Sequence, residues 1–347
     1  MSYGASSQNP APRFPGFWGR ISAAASLAAL ALAVAGCGSS GSKSSPATAP
    51  AGSASASSGA AAGLPAGTPG KGKPAITLGD KNFSEENLIG DLYQLALQAK
   101  GYTVTLKANI GSSEVIDSAF QSGQINLYPE YTGEILAAVA HQTGRTTSAQ
   151  QTWQQAKAFE EKNRGATLLP QTSFQDIDVV IVKPAFAAKY HLKSIGDLNN
   201  VGPHGKGVTW AAQPPDKTRY AGLAGMQQAY GLTNVSFDGV DVGLTYSALD
   251  SGSVNSADAF STDGQLTTGK YVALQDPKHI MGFQHIAPVV KMSLLTTEGP
   301  AFAHTLNWVD SLLTQSAILQ MNAAIQLRHI DPAVVARAFL AANGLKS

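Results

Sequence analysis

Asp176 and Asp178 stand one residue apart and could hold a hard cation, but such an ion takes about six to eight oxygen ligands and no further donors cluster beside them. A turn or a hinge cap needs only the pair, so no metal site is expected. Gly202-Pro203-His204-Gly205-Lys206-Gly207 has the glycines and lysine of a phosphate cradle, yet it lacks the Walker spacing and the Ser or Thr after the lysine. It reads as a loop before a strand at Val208 to Ala211. The seven histidines are dispersed, with no pair at the helical spacing that zinc ligation uses. A Gly-x-Ser-x-Gly elbow, a His-Glu-x-x-His helix and a Gly-x-Gly-x-x-Gly turn are all missing. The residues therefore describe no enzyme and call for no cofactor.

The one cysteine rules out a disulfide framework and a cysteine zinc cluster, which need at least a pair. Its position points to another chemistry. Ile21 to Ala35 is an uncharged, largely apolar stretch that follows Arg13 and Arg20 and leads into Val34-Ala35-Gly36-Cys37. That is short for a membrane span and fits a signal-peptide core. The small residues before Cys37 resemble a lipobox, so residues 1–36 are expected to be removed and Cys37 to carry the lipid anchor. Residues 38–74 are nearly all Ser, Ala, Gly, Pro and Thr, a composition that cannot bury enough surface to fold. They make a tether holding the rest of the chain about 30 Å from the bilayer.

Of the 24 basic side chains, five lie before residue 75, where there is no acid, leaving 19 basic against 23 acidic in the body. A mildly acidic body lacks the surface that neutralises a phosphate backbone, so nucleic acid is not an expected partner.

Within that body the patterning alternates. Ala75 to Gly79 reads as a strand, and Ser84 can cap a helix whose first turn holds Glu85 and Glu86. Leu88, Leu92, Leu95, Ala96 and Ala99 share one face of it. Tyr102 to Leu106 alternates as a strand, Ser112 or Ser113 caps the next helix, and Ile125 to Tyr128 is the next strand. Further elements are a helix at Trp153 to Asn163, a strand at Val179 to Val182, a helix at Thr218 to Tyr230 ended by Gly231, and a helical C-terminal third with Asp331-Pro332 as cap and first turn. Repeated βαβ patterning implies an α/β fold with parallel strands, and about 270 residues exceed one core, which implies two lobes. No run of about 18 apolar residues recurs in the body, so no spanning helix is expected there.

Several motifs carry a resemblance. Gly79-Asp80-Lys81-Asn82-Phe83-Ser84-Glu85-Glu86, Gly111-Ser112-Ser113-Glu114-Val115 and Leu127-Tyr128-Pro129-Glu130-Tyr131-Thr132-Gly133 are similar to the N-terminal signatures of the osmoprotectant-binding proteins of ABC importers. Arg219 with Gly222-Leu223, Tyr246-Ser247-Ala248-Leu249, Ala259-Phe260-Ser261-Thr262-Asp263-Gly264 and Ala287-Pro288-Val289-Val290 continue it in order over residues 76–345. The resemblance implies a two-lobed type II periplasmic-binding-protein fold, each lobe a mostly parallel sheet flanked by helices. Lobe I would be 75–177 with 286–347, lobe II would be 178–285, and two crossover segments would form the hinge. It implies as ligand a quaternary amine such as glycine betaine, choline, carnitine or proline betaine, and as partner a membrane permease. The protein would sit on the outer face of the cytoplasmic membrane.

In such proteins aromatic rings box the trimethylammonium, which has no N–H to donate, each ring contributing about 0.5–2 kcal/mol. By resemblance Tyr131 is a box tyrosine, Lys81 and Arg219 reach a ligand carboxylate, Asp176 lies by the hinge near the cation, and Phe260 stands at an aromatic position. Asp178 and Gln284 stand where box tyrosines are common, and Glu134 replaces a threonine. These three departures leave open a receptor retuned to another small metabolite, or a sensor or adaptor domain that binds no ligand.

Overall fold

A computed structural model of the chain describes residues 63–345 apart from 143, 203–206 and 242. The signal-peptide reading of 1–36, the lipidation of Cys37, the tether as far as residue 62 and the glycine-rich loop at 203–206 lie outside the described residues.

The first strands are β1 (Ile76–Gly79), β2 (Val104–Lys107) and β3 (Leu127–Tyr131), separated by α1 (Ser84–Ala99) and α2 (Ser113–Gln121). Leu88, Ile89, Leu92, Tyr93, Ala96 and Leu97 of α1 are wholly buried, the spacing of one helical face laid on a sheet. Phe83, not Ser84, takes its N-cap position, and the Ser84 Oγ accepts instead from Gln326 Nε2. Glu85 and Glu86 then supply the negative charge that the helix start favours. After β3 come α3 (Thr132–Glu134), a π turn at Ile135–Val139, α4 (Ala149–Asn163) and β4 (Ala166–Leu168).

The second half begins with β5 (Asp178–Val182) and α5 (Pro184–Tyr190), followed by β6 (Val208–Ala212), α6 (Leu223–Tyr230) and β7 (Val235–Gly239). It continues with α7 (Thr245–Ser251), β8 (Ser256–Phe260), a 3-10 turn at Gly264–Thr268 and β9 (Val272–Ala273). The helix expected from Thr218 starts five residues later. Pro214–Lys217 turns as a 3-10 segment and Gly222 is extended, so Thr218 to Gly222 form the loop between them. Its end is as expected, with Gly231 at φ +67°, a left-handed position that costs glycine little.

The chain then returns through β10 (Ile286–Lys291) and closes with α8 (Met292–Glu298), α9 (Pro300–Leu312), α10 (Gln315–Gln326) and α11 (Pro332–Ala342). Asp331 caps α11 through its side chain, with Pro332 in the first turn.

The fold is α/β and two-lobed, of the type II periplasmic-binding-protein kind. One sheet has the order β2-β1-β3-β10-β4 and the other β7-β6-β8-β5-β9. Four of the five strands in each sheet run the same way, as expected for mostly parallel sheets, and one opposes: β10 is antiparallel to both β3 and β4, and β5 to both β8 and β9. The reason is topological, since β5 and β10 are the strands by which the chain enters one sheet from the other. No βαβ crossover dictates their direction. The first sheet packs its core, including Leu92, Phe302, Leu306 and Leu340, against α1 and the C-terminal helices. The second is centred on Trp210, Val180 and Met226.

The two crossing segments run side by side, with Asp176 N donating to Gln284 O at 3.0 Å and Gln175 bridged to His285. Near them the 3-10 turn sits directly on α10. A Cβ on Gly264 would come 2.5 Å from Ala323 Cα and 2.6 Å from its N, both backbone atoms that cannot swing aside. Gly264→Ala should therefore cost about 1–3 kcal/mol as an overpacking defect. Thermal denaturation should show a drop of several degrees, and an unchanged midpoint would mean that this contact yields freely.

Candidate functional site

The loops that leave the carboxyl ends of β1, β2, β3, β6, β7 and β8 converge on one cleft between the two sheets, with a volume of about 890 Å³. Open α/β sheets place ligands at such strand ends, and the size is that of a small-molecule site. Lys81, Tyr131, Glu134, Asp176, Asp178, Phe260 and Gln284 all line it. Arg219 does not: it lies in the loop before α6, its side chain 67% exposed, with its guanidinium 3.6 Å from Asp216.

On the first lobe Lys81 is 3% exposed and ion-paired with Glu130 and, at 3.8 Å, with Glu86. Its Nζ also donates to Ser113 Oγ at 3.3 Å. Burial works to lower the lysine pKa, but the two glutamates outweigh it and the net shift is upward. The same ammonium lies 4.4 Å from the Tyr131 ring centroid and 5.6 Å from that of Phe83. Phe83 stacks on Tyr131 at 6.1 Å and is 41% exposed. Tyr131 is held from behind: its hydroxyl donates to Glu85 Oε1 at 2.7 Å, while Asn322 Nδ2 donates to Glu85 Oε2 at 2.7 Å.

Glu134 and Gln284 clasp each other, Gln284 Nε2 donating to Glu134 Oε1 at 3.0 Å and Glu134 N donating to Gln284 Oε1 at 3.1 Å. On the other side, Asp178 begins β5 directly opposite Phe260 of β8. Asp176 accepts from Thr262 N at 3.2 Å and Ser261 Oγ at 3.4 Å. Asp263 accepts from Tyr246 Oη at 2.8 Å and Phe260 N at 3.0 Å. Outside the cleft lining the Arg145 guanidinium covers the Tyr220 ring at 3.9 Å, a contact between segments that follow β3 and β6.

Seven carboxylates and one ammonium line the cleft among the described residues. Burial, then the nearby Asp216 and Glu134, push Asp178 up to about 7. Burial likewise raises Glu85 and Glu134, and carries Asp176 and Asp258 well above the carboxylate range. Among the described residues no group of three His, Cys, Asp or Glu is arranged to ligate a metal ion. The arrangement suits capture of a cation by ring faces and acids.

Phe83, Glu85, Tyr246, Asp258 and Asp263 line the cleft without having been nominated from sequence. All but Asp258 lie within the resembling motifs, where each could have been read as cleft-facing. Asp258 gave a different signal, a lone charge between Ala257 and Ala259 in an otherwise uncharged strand.

The family model described as the substrate binding domain of an ABC-type glycine betaine transport system matches residues 74–342. The chain belongs to that family. It is 27% identical over 277 residues to the glycine betaine-binding protein YehZ of Escherichia coli, covering 78% of this chain and 90% of that one. It is 28% identical over 273 residues to a glycine-betaine-binding protein of Pseudomonas aeruginosa, covering 76% and 86%. Among solved structures, one titled a glycine betaine/carnitine/choline ABC transporter matches with a TM-score of 0.71 at 23% identity, over 78% of this chain and 99% of that one. Apo YehZ matches with a TM-score of 0.67 at 26% identity over the same shares. These relatives are transport receptors and not enzymes.

Proposed function

We propose that this family member is a lipid-anchored, extracytoplasmic receptor that captures a quaternary amine such as glycine betaine or choline and delivers it to the permease of an ABC importer. The observation that carries the reading is Tyr131, an aromatic face held rigidly by Glu85 in an acid-lined cleft between two lobes. A cation on that face is attracted by the ring quadrupole, by about 0.5–2 kcal/mol when desolvated.

Residues 75–177 with 286–347 act as lobe I and 178–285 as lobe II, turning about the two crossing segments. Ligand biases closure only through its extra affinity for the closed form, which comes from bridging Tyr131 and Lys81 of one lobe to Asp178 and Phe260 of the other. Arg219 joins this set only by approaching as the lobes close. The permease recognises the closed form.

Calorimetric titration of Tyr131→Ala and Tyr131→Phe with choline and glycine betaine tests the site. Loss of the ring should weaken binding about two- to thirtyfold, as one ring contact implies, whereas the phenylalanine variant keeps the face and most of the affinity. Unchanged affinity in Tyr131→Ala would refute it.

A further inference from the structure

We propose that Asn322 is a positioning residue of the cleft: without bonding to the solute, it sets the Tyr131 ring face through Glu85 and takes its own orientation from the loop after β8. This rests on the cleft being the solute site and adds what holds its aromatic wall in place.

Asn322 lies on α10, distant from Tyr131 in sequence, and is 1% exposed. The other buried residues of that helix are apolar: Ile318, Met321, Ala323, Ala324 and Ile325. Its amide carries two N–H donors, and both are committed. One goes to Glu85 Oε2 at 2.7 Å and the other to the Thr262 carbonyl at 2.9 Å. Acceptors on both sides leave the amide a single orientation, nitrogen inward. Its Oδ1 is sealed from solvent and has no partner. A buried amide with an unpaired carbonyl is a cost that packing does not require, and the two donated bonds offset it.

Those bonds join parts of the chain that no local pattern would align. Glu85 Oε1 accepts from the Tyr131 hydroxyl at 2.7 Å, so Tyr131, Glu85, Asn322 and Thr262 form one relay from β3 through α1 and α10 to the loop after β8. Thr262 is itself fixed, being 2% exposed and donating its N–H to Asp176 at 3.2 Å. Asn322 borders the cleft, yet with both donors spent and its oxygen sealed it has no polar group left for a solute. Its effect on binding runs through Tyr131.

Glu85 lines the cleft as well. Without Asn322 its Oε2 loses a donor while still buried, a state relieved by turning toward water in the cleft. Tyr131, tied to Glu85 by its hydroxyl, is then drawn away from the position in which its face meets the solute. A phenylalanine at 131 has no such tie, and stacking on Phe83 keeps its face in place.

The test is calorimetric titration of the full-length protein with choline and glycine betaine. Asn322→Leu should weaken binding about two- to thirtyfold, the range for one misplaced ring. Tyr131→Phe should rescue that loss: the double variant should bind within about twofold of Tyr131→Phe alone, a non-additivity that a general loosening of the fold does not produce. Gln315→Leu is the control. Gln315 Nε2 ties the adjacent Ser261 carbonyl to α10 at 3.1 Å, but it has no bond to Glu85 and lies outside the cleft lining. Its loss should leave the affinity unchanged. If near-UV circular dichroism shows Asn322→Leu to be misfolded, Asn322→Ser, with one donor for two acceptors, takes its place in the same cycle with the same expectation. Wild-type affinity in the Asn322 variant, an undiminished loss in the phenylalanine background, or an equal loss in Gln315→Leu overturns the positioning role and leaves the receptor reading intact. No saturable binding of either ligand by the unaltered protein overturns both.

Discussion

Lys81→Met should destabilise the protein by about 3–5 kcal/mol at pH 7.5, because it strands two buried carboxylates that now share one counter-charge. Glu86 and Glu130 are both inaccessible to solvent, and even with Lys81 in place Glu86 is held well above the usual carboxylate range, by burial first. The Glu130 Oε1 has the Tyr131 amide as a second donor at 2.7 Å, but its Oε2 has none. Removing the ammonium takes away the charge that lowers Glu86, so Glu86 takes up a proton more readily. The deficit should accordingly shrink as pH is lowered to 5, and Lys81→Met combined with Glu130→Gln should recover much of it at pH 7.5. Urea denaturation of the three proteins at both pH values measures this. A loss below 1 kcal/mol that ignores pH would mean that water or a rearranged donor reaches the glutamates. The same substitution clears the cation from beside Tyr131 and Phe83, so any remaining affinity for a quaternary amine reads the rings alone.

How far the residues speak for themselves depends on whether their partners are local. The buried face of α1 was legible because Leu88, Leu92 and Ala96 recur at helical spacing, and the end of α6 because Gly231 marks a left-handed cap. The start of α6 was not, since Gly222 is extended and packs so closely on the Asp216 carbonyl that a Cβ there would come within 2.2 Å of it. Arg219 sits in the loop between them, and that loop carries it to Asp216 and out of the cleft lining. The directions of β5 and β10 depend on which sheet the chain has just left, which no local pattern records. Seven of the eight nominated cleft residues do meet in one cleft, since each sits in a crossing segment or at a strand end that the fold brings to the same place. Asp258 escaped because its place in the cleft is visible only once β8 is known to be flanked by β5 and β6.

Thermal stability should fall as the pH is raised from about 5 to 8, the reverse of a protein held by paired surface carboxylates. Glu160, inaccessible to solvent and with neither carboxylate oxygen hydrogen-bonded, is pushed up to about 7 by burial and then by Asp117, against Arg164 and Lys291. Asp178 is pushed up to about 7, and Asp80 and Asp91 to about 6, by burial first in each case. Unfolded, all four titrate near 4. Between those limits the folded protein binds more protons than the unfolded chain, so the slope of unfolding free energy with pH is negative. Stabilisation from these groups is complete below about pH 4 and gone once the pH has passed through about 7. Glu160 alone accounts for a change on the order of 3 kcal/mol, at about 1.4 kcal/mol per pKa unit. Glu114, Glu161, Asp197 and Asp250 are shifted the other way by hydrogen bonds, but they are largely solvated and weigh little. Calorimetric melts at fixed ionic strength check the sign, and a flat or rising profile would mean that Glu160 and Asp178 ionise freely in the folded state. Glu160→Gln should flatten the profile with or without ligand, because Glu160 lies on α4 outside the cleft lining. A saturating cation should remove only the share belonging to Asp178, which separates the charge stored in the cleft from the charge stored in the fold.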